Sequence, residues 1–395
     1  MQHTKAPYKF STNWFWAICI LSQFCLQANA QSSTKKIQDS PQQKTDTSSS
    51  LLDINNSKLI KKANSILDST QKKEKNKHWV WINPNQKEDV AVLKKRYKAY
   101  YDAGIRGLLF EADSEKHYTE AKNAGLEAHR WNWTMNRGDV LKQHPEWSAI
   151  SRTGESCVTK PPYVGYYKWL CPSKTEVQDF LKNEADTILS KNYIDGLHLD
   201  YIRFCDVVLP LNLWDTYKLD QRTELPAYDF CYCKTCRDAY AAKTGHDPLS
   251  LRYPDAQVSW RLFRYQAINN VVNQLAVVAH QHHKKISAAV FPMPELARRM
   301  VRQDWTNWNL DMVFPMIYHG FYQEGVTWIG DAVAEGVRFL KDGVPLYAGL
   351  FLSDFNNQTE LANGIKYALQ NQAAGICFFG GVTDEVLATL KQASS

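Results

Sequence analysis

An otherwise apolar run, IDGLHLDYIRF from Ile194 to Phe204, carries His198, Asp200 and Arg203. Side chains on a strand alternate between faces, so His198 and Asp200 share one face while Leu197, Leu199 and Tyr201 take the other. A carboxylate in such a strand needs a partner or a chemical task, because an unpaired buried charge is costly. Comparable apolar runs end in Asn83, in Glu111 and Asp113, in Arg130, Trp131, Asn132 and Trp133, in Tyr318 and His319, and in Asp354; Glu295 follows another. Carboxylates among tryptophans and tyrosines suit sugars. Aromatic rings stack on the apolar faces of pyranoses, and two carboxyl groups supply a proton donor together with a nucleophile or base. Trp131 and Trp133 lie two apart and share a face. No serine sits in a nucleophile-elbow sequence, and no strand pairs two histidines one residue apart, so convergence of His129, His198 and His319 on a catalytic metal is disfavoured.

These residues need elements to position them. Short apolar runs at 79–83, 105–113, 125–133, 194–204, 285–292, 310–319, 344–354 and 374–381 alternate with helix-like stretches. Near-continuous apolar strands alternating with helices indicate a parallel sheet covered by helices. Eight such units over the segment 78–395 indicate a (β/α)8 TIM barrel, whose active site forms at the C-terminal ends of its strands. A doubly wound sheet is disfavoured, because no glycine-rich phosphate loop follows the first strand. The polar residues gather at the strand ends, so His198 and Asp200 are expected at the barrel mouth. Arg203 is expected there or paired with Asp206. Asp195 and Asp311, at the opposite end, are expected to be structural, and Trp305 and Trp308 to be packing residues.

The first 30 residues combine Lys5 and Lys9, an apolar run and Ala28-Asn29-Ala30, which is the pattern of a secretory signal peptide. Residues 31–77 are rich in Ser, Thr, Gln, Asn and Lys and read as a disordered polar tether. The whole chain has a formal charge of +6, but these two segments hold a net +7 and leave −1 for the remainder. The basic balance therefore belongs to the tether and is no argument for nucleic acid. No later run is long enough to cross a membrane. The expected location is secreted, periplasmic or at the cell envelope.

Cys205, Cys231, Cys233 and Cys236 belong to a long insertion at about 205–240, after the fourth strand. Such a set makes two disulfides or ligates a structural zinc, and the oxidising compartment favours disulfides. Cys157 and Cys171 bracket the loop after the third strand and are candidates to pair. Either arrangement fastens a loop, and catalysis itself requires no cofactor.

The segments HPEW at 144–147, CP at 171–172, DGLHLDYIRF, CYCKTC at 231–236, RQDWTNW at 302–308 and DMVFPMIYH at 311–319 resemble the family 10 glycosyl-hydrolase-like proteins. These are secreted or envelope barrels distantly similar to α-amylase-type glycosidases. The resemblance implies a retaining glycoside hydrolase with Asp200 as nucleophile and Glu295 as general acid, Asp304 being its rival and Asp354 assisting; Glu111, at the end of the second run, is a further candidate carboxylate. His198 stands where those enzymes carry Arg. The strand also resembles the chitinase motif DG-x-D-x-D-x-E, but Ile202 replaces its acid, which disfavours substrate-assisted chemistry. His198, Arg203, Trp131, Trp133, Arg130, Asn132, Tyr318, His319 and Asp354 are the expected sugar contacts. Arg130 or Arg203 is expected to keep the Asp200 pKa low. A carbohydrate-binding barrel without catalysis is the alternative.

Overall fold

The computed structural model describes residues 77–394. The expected signal peptide, and the expected tether apart from Lys77, lie outside the described residues. Eight strands form one sheet: β1 His78–Ile82, β2 Ile105–Phe110, β3 Glu127–Trp133, β4 Gly196–Asp200, β5 Lys285–Val290, β6 Met312–Pro315, β7 Tyr347–Phe351 and β8 Gly375–Phe379. Every ladder is parallel, in the order β6-β5-β4-β3-β2-β1-β8-β7. Two parallel bridges, Val313 to Leu346 and Met316 to Gly349, bring β6 against β7 and close the ring. The (β/α)8 barrel expected from the alternating runs is the fold.

The principal helices around it are α1 Val90–Asp102, α2 Glu115–Asn123, α3 Thr175–Leu189, α4 Trp214–Tyr217, α5 Lys234–Thr244, α6 Val258–Gln281, α7 Pro294–Val301, α8 Trp328–Phe339, α9 Gln358–Gln370 and α10 Asp384–Ser394. In α3 the buried residues Val177, Leu181, Ala185 and Leu189 recur every four positions and form the face that covers the sheet. Asp89 starts α1 by accepting the Ala91 N–H at 2.7 Å, one of the donors a helix cannot satisfy internally. Among the described residues no helix is long and apolar enough to cross a membrane.

The strands are shorter than their apolar runs. Those expected to reach Asp113, Phe204, His319 and Asp354 leave the sheet at Phe110, Asp200, Pro315 and Phe351. Tyr201 shows one cause: its φ of +49° lies in the left-handed region and breaks the extended chain directly after Asp200.

Aromatic rings fill the barrel, and small residues on neighbouring strands make room for them. A Cβ on Gly107 would lie 2.2 Å from the Trp79 ring, and one on Gly196 would lie 2.6 Å from His129. Trp79 packs edge-on against His129, Phe314 and Tyr347. Above this layer the Trp81 indole N–H donates to His198 Nε2 at 3.0 Å. Indole nitrogen only donates, so the His198 proton sits on Nδ1 and is given to Ser287 Oγ at 2.9 Å.

At the N-terminal rim, Asp195 accepts the Ala128 N–H at 3.0 Å and pairs with Lys122 at 2.6 Å. Asp311 accepts the Ile286 N–H at 2.7 Å. Both carboxylates tie strand starts together, as expected. Trp305 and Trp308 are buried packing residues, the latter donating to Asn269 Oδ1 at 2.7 Å.

Candidate active site

Asp200 closes β4 on the inward face, and its register places it beside Trp133 of β3. The Trp131 indole N–H donates to its Oδ2 at 2.9 Å, and the Tyr201 backbone N–H donates to its Oδ1 at 2.6 Å. The left-handed turn at Tyr201 is thus sealed by the carboxylate it presents. Burial pushes the Asp200 pKa up, against these two hydrogen bonds and the Arg203 charge. The expectation of a low pKa is overturned, because burial outweighs the nearby cation.

Arg203 explains why that cation is weak here. It is buried and paired with Asp206 at 2.9 Å. Its guanidinium also lies 4.8 Å from the Trp169 ring, 5.1 Å from Phe291 and 5.3 Å from Tyr201. Most of its field is spent on Asp206, so it stiffens the wall beside Asp200 and does not neutralise it.

Glu111 follows β2 on the same face as Gly107 and Leu109. Burial raises its pKa first and the negative charge of Asp200 second, with Arg130 opposing. It lies within electrostatic reach of Asp200 at the mouth. Asp354, after β7, accepts the Gly320 N–H at 3.0 Å, and burial lifts its pKa to about 6. Burial raises the pKa of the Tyr318 phenol, and the negative charges of Asp200 and Asp354 add to that rise. Its ring stacks on Phe379 at 5.9 Å and packs near Phe351. Trp133 lies against Tyr201 at 4.7 Å. His319 is buried 4.0 Å from Asp354 with its ring on Phe355, and burial lowers its pKa, so it is neutral near pH 7. The mouth is therefore a set of carboxyl groups walled by aromatic rings.

Several expected members lie elsewhere. Arg130 and Asn132 alternate with Trp131 and point out of the barrel, lining a surface cleft with Phe180 and Glu184 of α3. Arg130 donates to backbone carbonyls of Phe110, Glu111 and Trp131, and Asn132 donates to Glu184 at 3.0 Å. The alternation that pairs Trp131 with Trp133 already implies this. Glu295 is exposed in the first turn of α7, beside Glu335 and Arg338 of the outer layer. Asp304 accepts from Arg298 at 2.7 Å and Asn307 at 2.8 Å, also outside the mouth. Sequence distance from β5 does not set the direction of its loop. His198 is fully buried below Asp200 with both ring nitrogens engaged, so it supports the floor and does not contact a ligand. The three histidines do not converge; among the described residues, potential metal ligands gather at Cys171, Cys231, Cys233 and Cys236. Cys205 is excluded from that group and Cys171 replaces it. Cys157 instead donates to the Trp169 carbonyl and accepts the Trp169 N–H, and is not paired with Cys171.

No family model matches the chain. No curated protein matches it in sequence. Among solved structures it is similar to the PgaB (BpsB) glycoside hydrolase domain of Bordetella bronchiseptica, with TM-score 0.59 and 11% identity, covering 81% of this chain and 99% of that one. It is similar to a β-galactosidase of the haloarchaeon Halorubrum lacusprofundi, with TM-score 0.58 and 11% identity, over 80% of this chain and 57% of that one. The β-amylase catalytic domain of Paenibacillus polymyxa gives 0.52 and 12%, over 80% and 97%. These likenesses establish the fold, and each of these neighbours is a glycoside hydrolase.

Proposed function

We propose that the protein is a glycoside hydrolase acting on an oligo- or polysaccharide, with Asp200 and Glu111 as its working pair. The observation that carries this reading is the geometry of the mouth, where Asp200 ends β4 held by the Trp131 and Tyr201 N–H groups, with Glu111 directly after β2, among aromatic rings. Asp200 accepts two N–H donors, which favour its ionised form. Glu111 is pushed toward its protonated form by burial and by Asp200. Burial raises both pKa values, but on Asp200 two N–H donors oppose that push while on Glu111 the Asp200 charge adds to it, and this asymmetry assigns the nucleophile to Asp200 and the acid to Glu111.

The Asp200 carboxylate attacks the anomeric carbon while Glu111 gives its proton to the departing glycosidic oxygen. Glu111 then takes a proton from water, which attacks the anomeric carbon and releases Asp200. The configuration is retained. Trp133, Tyr318 and Phe379 offer faces for the sugar rings. Membership of the family 10-like group rests on the strand-four and strand-six motifs, and action outside the cytoplasm on the pattern of the first 30 residues.

A panel of soluble glycans and cell-wall fractions, read by reducing-end release, tests the activity, and the anomer formed first tests retention. Release that disappears in Asp200→Asn supports the reading. Glycan binding without release, or release unchanged in Asp200→Asn, overturns it and leaves a sugar-binding barrel or a different nucleophile.

A further inference from the structure

The connection from β4 to α6 is long, and four thiols from two segments meet beneath it. Cys231, Cys233 and Cys236 come from the connection itself, and Cys171 comes from the turn that precedes α3. All four are buried and their sulfur atoms lie within 4.8 Å of one another. Cys171 Sγ is 3.5 Å from the sulfurs of both Cys233 and Cys236.

These spacings discriminate between chemistries. A disulfide brings two sulfurs to about 2.05 Å and leaves other pairs far apart. Four thiolates at about 2.3 Å from a central Zn²⁺ stand at the corners of a tetrahedron with edges of about 3.8 Å. Cys171 is equally distant from two different sulfurs, which suits a shared centre and not a pair. The Ile150 N–H donates to Cys231 Sγ at 3.3 Å, the kind of outer contact that steadies a metal-bound thiolate. The other three described thiols are occupied or remote: Cys157 bonds to the Trp169 backbone, Cys205 faces the Asp206 carbonyl at 3.9 Å, and Cys377 lies in β8.

We propose that Cys171, Cys231, Cys233 and Cys236 form a structural zinc site that clips the β4 connection to the start of α3. Four protein ligands leave no open position, so the ion does no chemistry. Its reach toward the mouth is mechanical. Trp169, two residues before Cys171, carries the Arg203 guanidinium on its ring and packs against Tyr201 at 5.7 Å. On the other side, the chain either side of Cys231 is pinned to α6 by the buried Asp229–Arg264 pair and by Trp260 donating to the Tyr232 hydroxyl at 3.0 Å. The proposal does not depend on the glycosidase reading.

The test uses the wild-type chain purified without added reductant or metal. Elemental analysis should find about one zinc per chain, and X-ray absorption at the zinc edge should show four sulfurs at about 2.3 Å. Zinc should be released by a mercurial reagent as the four thiols are modified. Cys171→Ser should lose zinc at least tenfold more readily to a chelator, whereas Cys205→Ser should retain it like the wild type. Metal-free protein with four free thiols overturns the proposal, as does an intact mass reduced by the thiol hydrogens of two disulfides. Fewer than four sulfurs around zinc, or loss of zinc from Cys205→Ser with retention in Cys171→Ser, overturns the ligand set.

Discussion

The two rims of the barrel use carboxylates in opposite ways. At the N-terminal rim, Asp195 accepts a strand N–H and meets Lys122, while Asp311 accepts the N–H of Ile286 and lies 3.2 Å from His280. These groups are partly open to solvent and their demands are met. At the C-terminal rim, Glu111, Asp200 and Asp354 are driven toward their protonated forms by burial. The cations nearest them are committed elsewhere, Arg203 to Asp206 and Arg130 to backbone carbonyls. A carboxylate with a matched cation holds a structure together; one buried among aromatic rings without such a cation has a raised pKa, the kind of perturbation that marks candidate functional groups.

The largest effect that would break this contrast is at Asp200. Asp200→Asn is nearly isosteric but has one oxygen for two N–H donors, so it keeps only one of the Trp131 and Tyr201 contacts; it should fold with a loss of about 1–3 kcal/mol and still bind sugar. Turnover should fall by at least about a thousandfold, roughly 4 kcal/mol of barrier. Steady-state kinetics on a glycan identified from the panel measures this, and near-normal turnover would remove Asp200 from the reaction.

Glu111→Gln should cost about a hundredfold or more with a glycan whose leaving group needs a proton, and much less with an activated aryl glycoside. A loss equal for both substrates would indicate a positional role. The same series on Glu295→Gln should leave both rates close to wild type, since Glu295 lies on the outer surface.

Asp354 sharpens the contrast through pH. Its folded pKa of about 6 lies above the value near 3.9 of an unfolded aspartate. Between these values the folded state holds a proton that the unfolded state has lost, so stability falls as pH rises through this window and stays reduced above it. Asn does not ionise. Asp354→Asn should therefore be little changed at pH 4 and more stable than wild type at pH 7, by roughly 2 kcal/mol. Urea midpoints at the two pH values test the sign; a gain independent of pH would contradict it.

The smallest effect belongs to the opposite rim. Asp195→Ala removes one backbone hydrogen bond and one half-exposed ion pair, worth about 1–2 kcal/mol of stability. Activity per folded molecule should be unchanged. A catalytic defect at constant stability would show that the two rims are not divided as described.

The strand alternation around Asp200 was legible because it rests on local sterics. His198 and Asp200 face inward whatever covers the sheet, and eight apolar runs separated by helical patterns admit few other closed folds. Even the outward direction of Arg130 and Asn132 follows from the same parity as the inward direction of Trp131. The residues whose roles changed are those whose neighbours are distant in sequence. Glu295 follows β5 closely, but the turn at Phe291–Met293 leads it into α7 and away from the mouth. Cys171 joins Cys231, Cys233 and Cys236 across some 60 residues, and only the packing of two loops decides that Cys205 is not the fourth member.

The amino-acid sequence by itself determined the barrel, the face on which Asp200 lies, and the gathering of carboxyl and aromatic groups at the strand ends, since each follows from periodicity within one element. Tertiary structure alone decided that Glu111 feels the charge of Asp200, that Cys171 joins the thiols of the β4 connection, and that burial holds the protons of the mouth carboxyl groups to higher pH. Those properties depend on burial and on groups contributed by separate strands and loops, and neither condition exists until the chain has closed on itself.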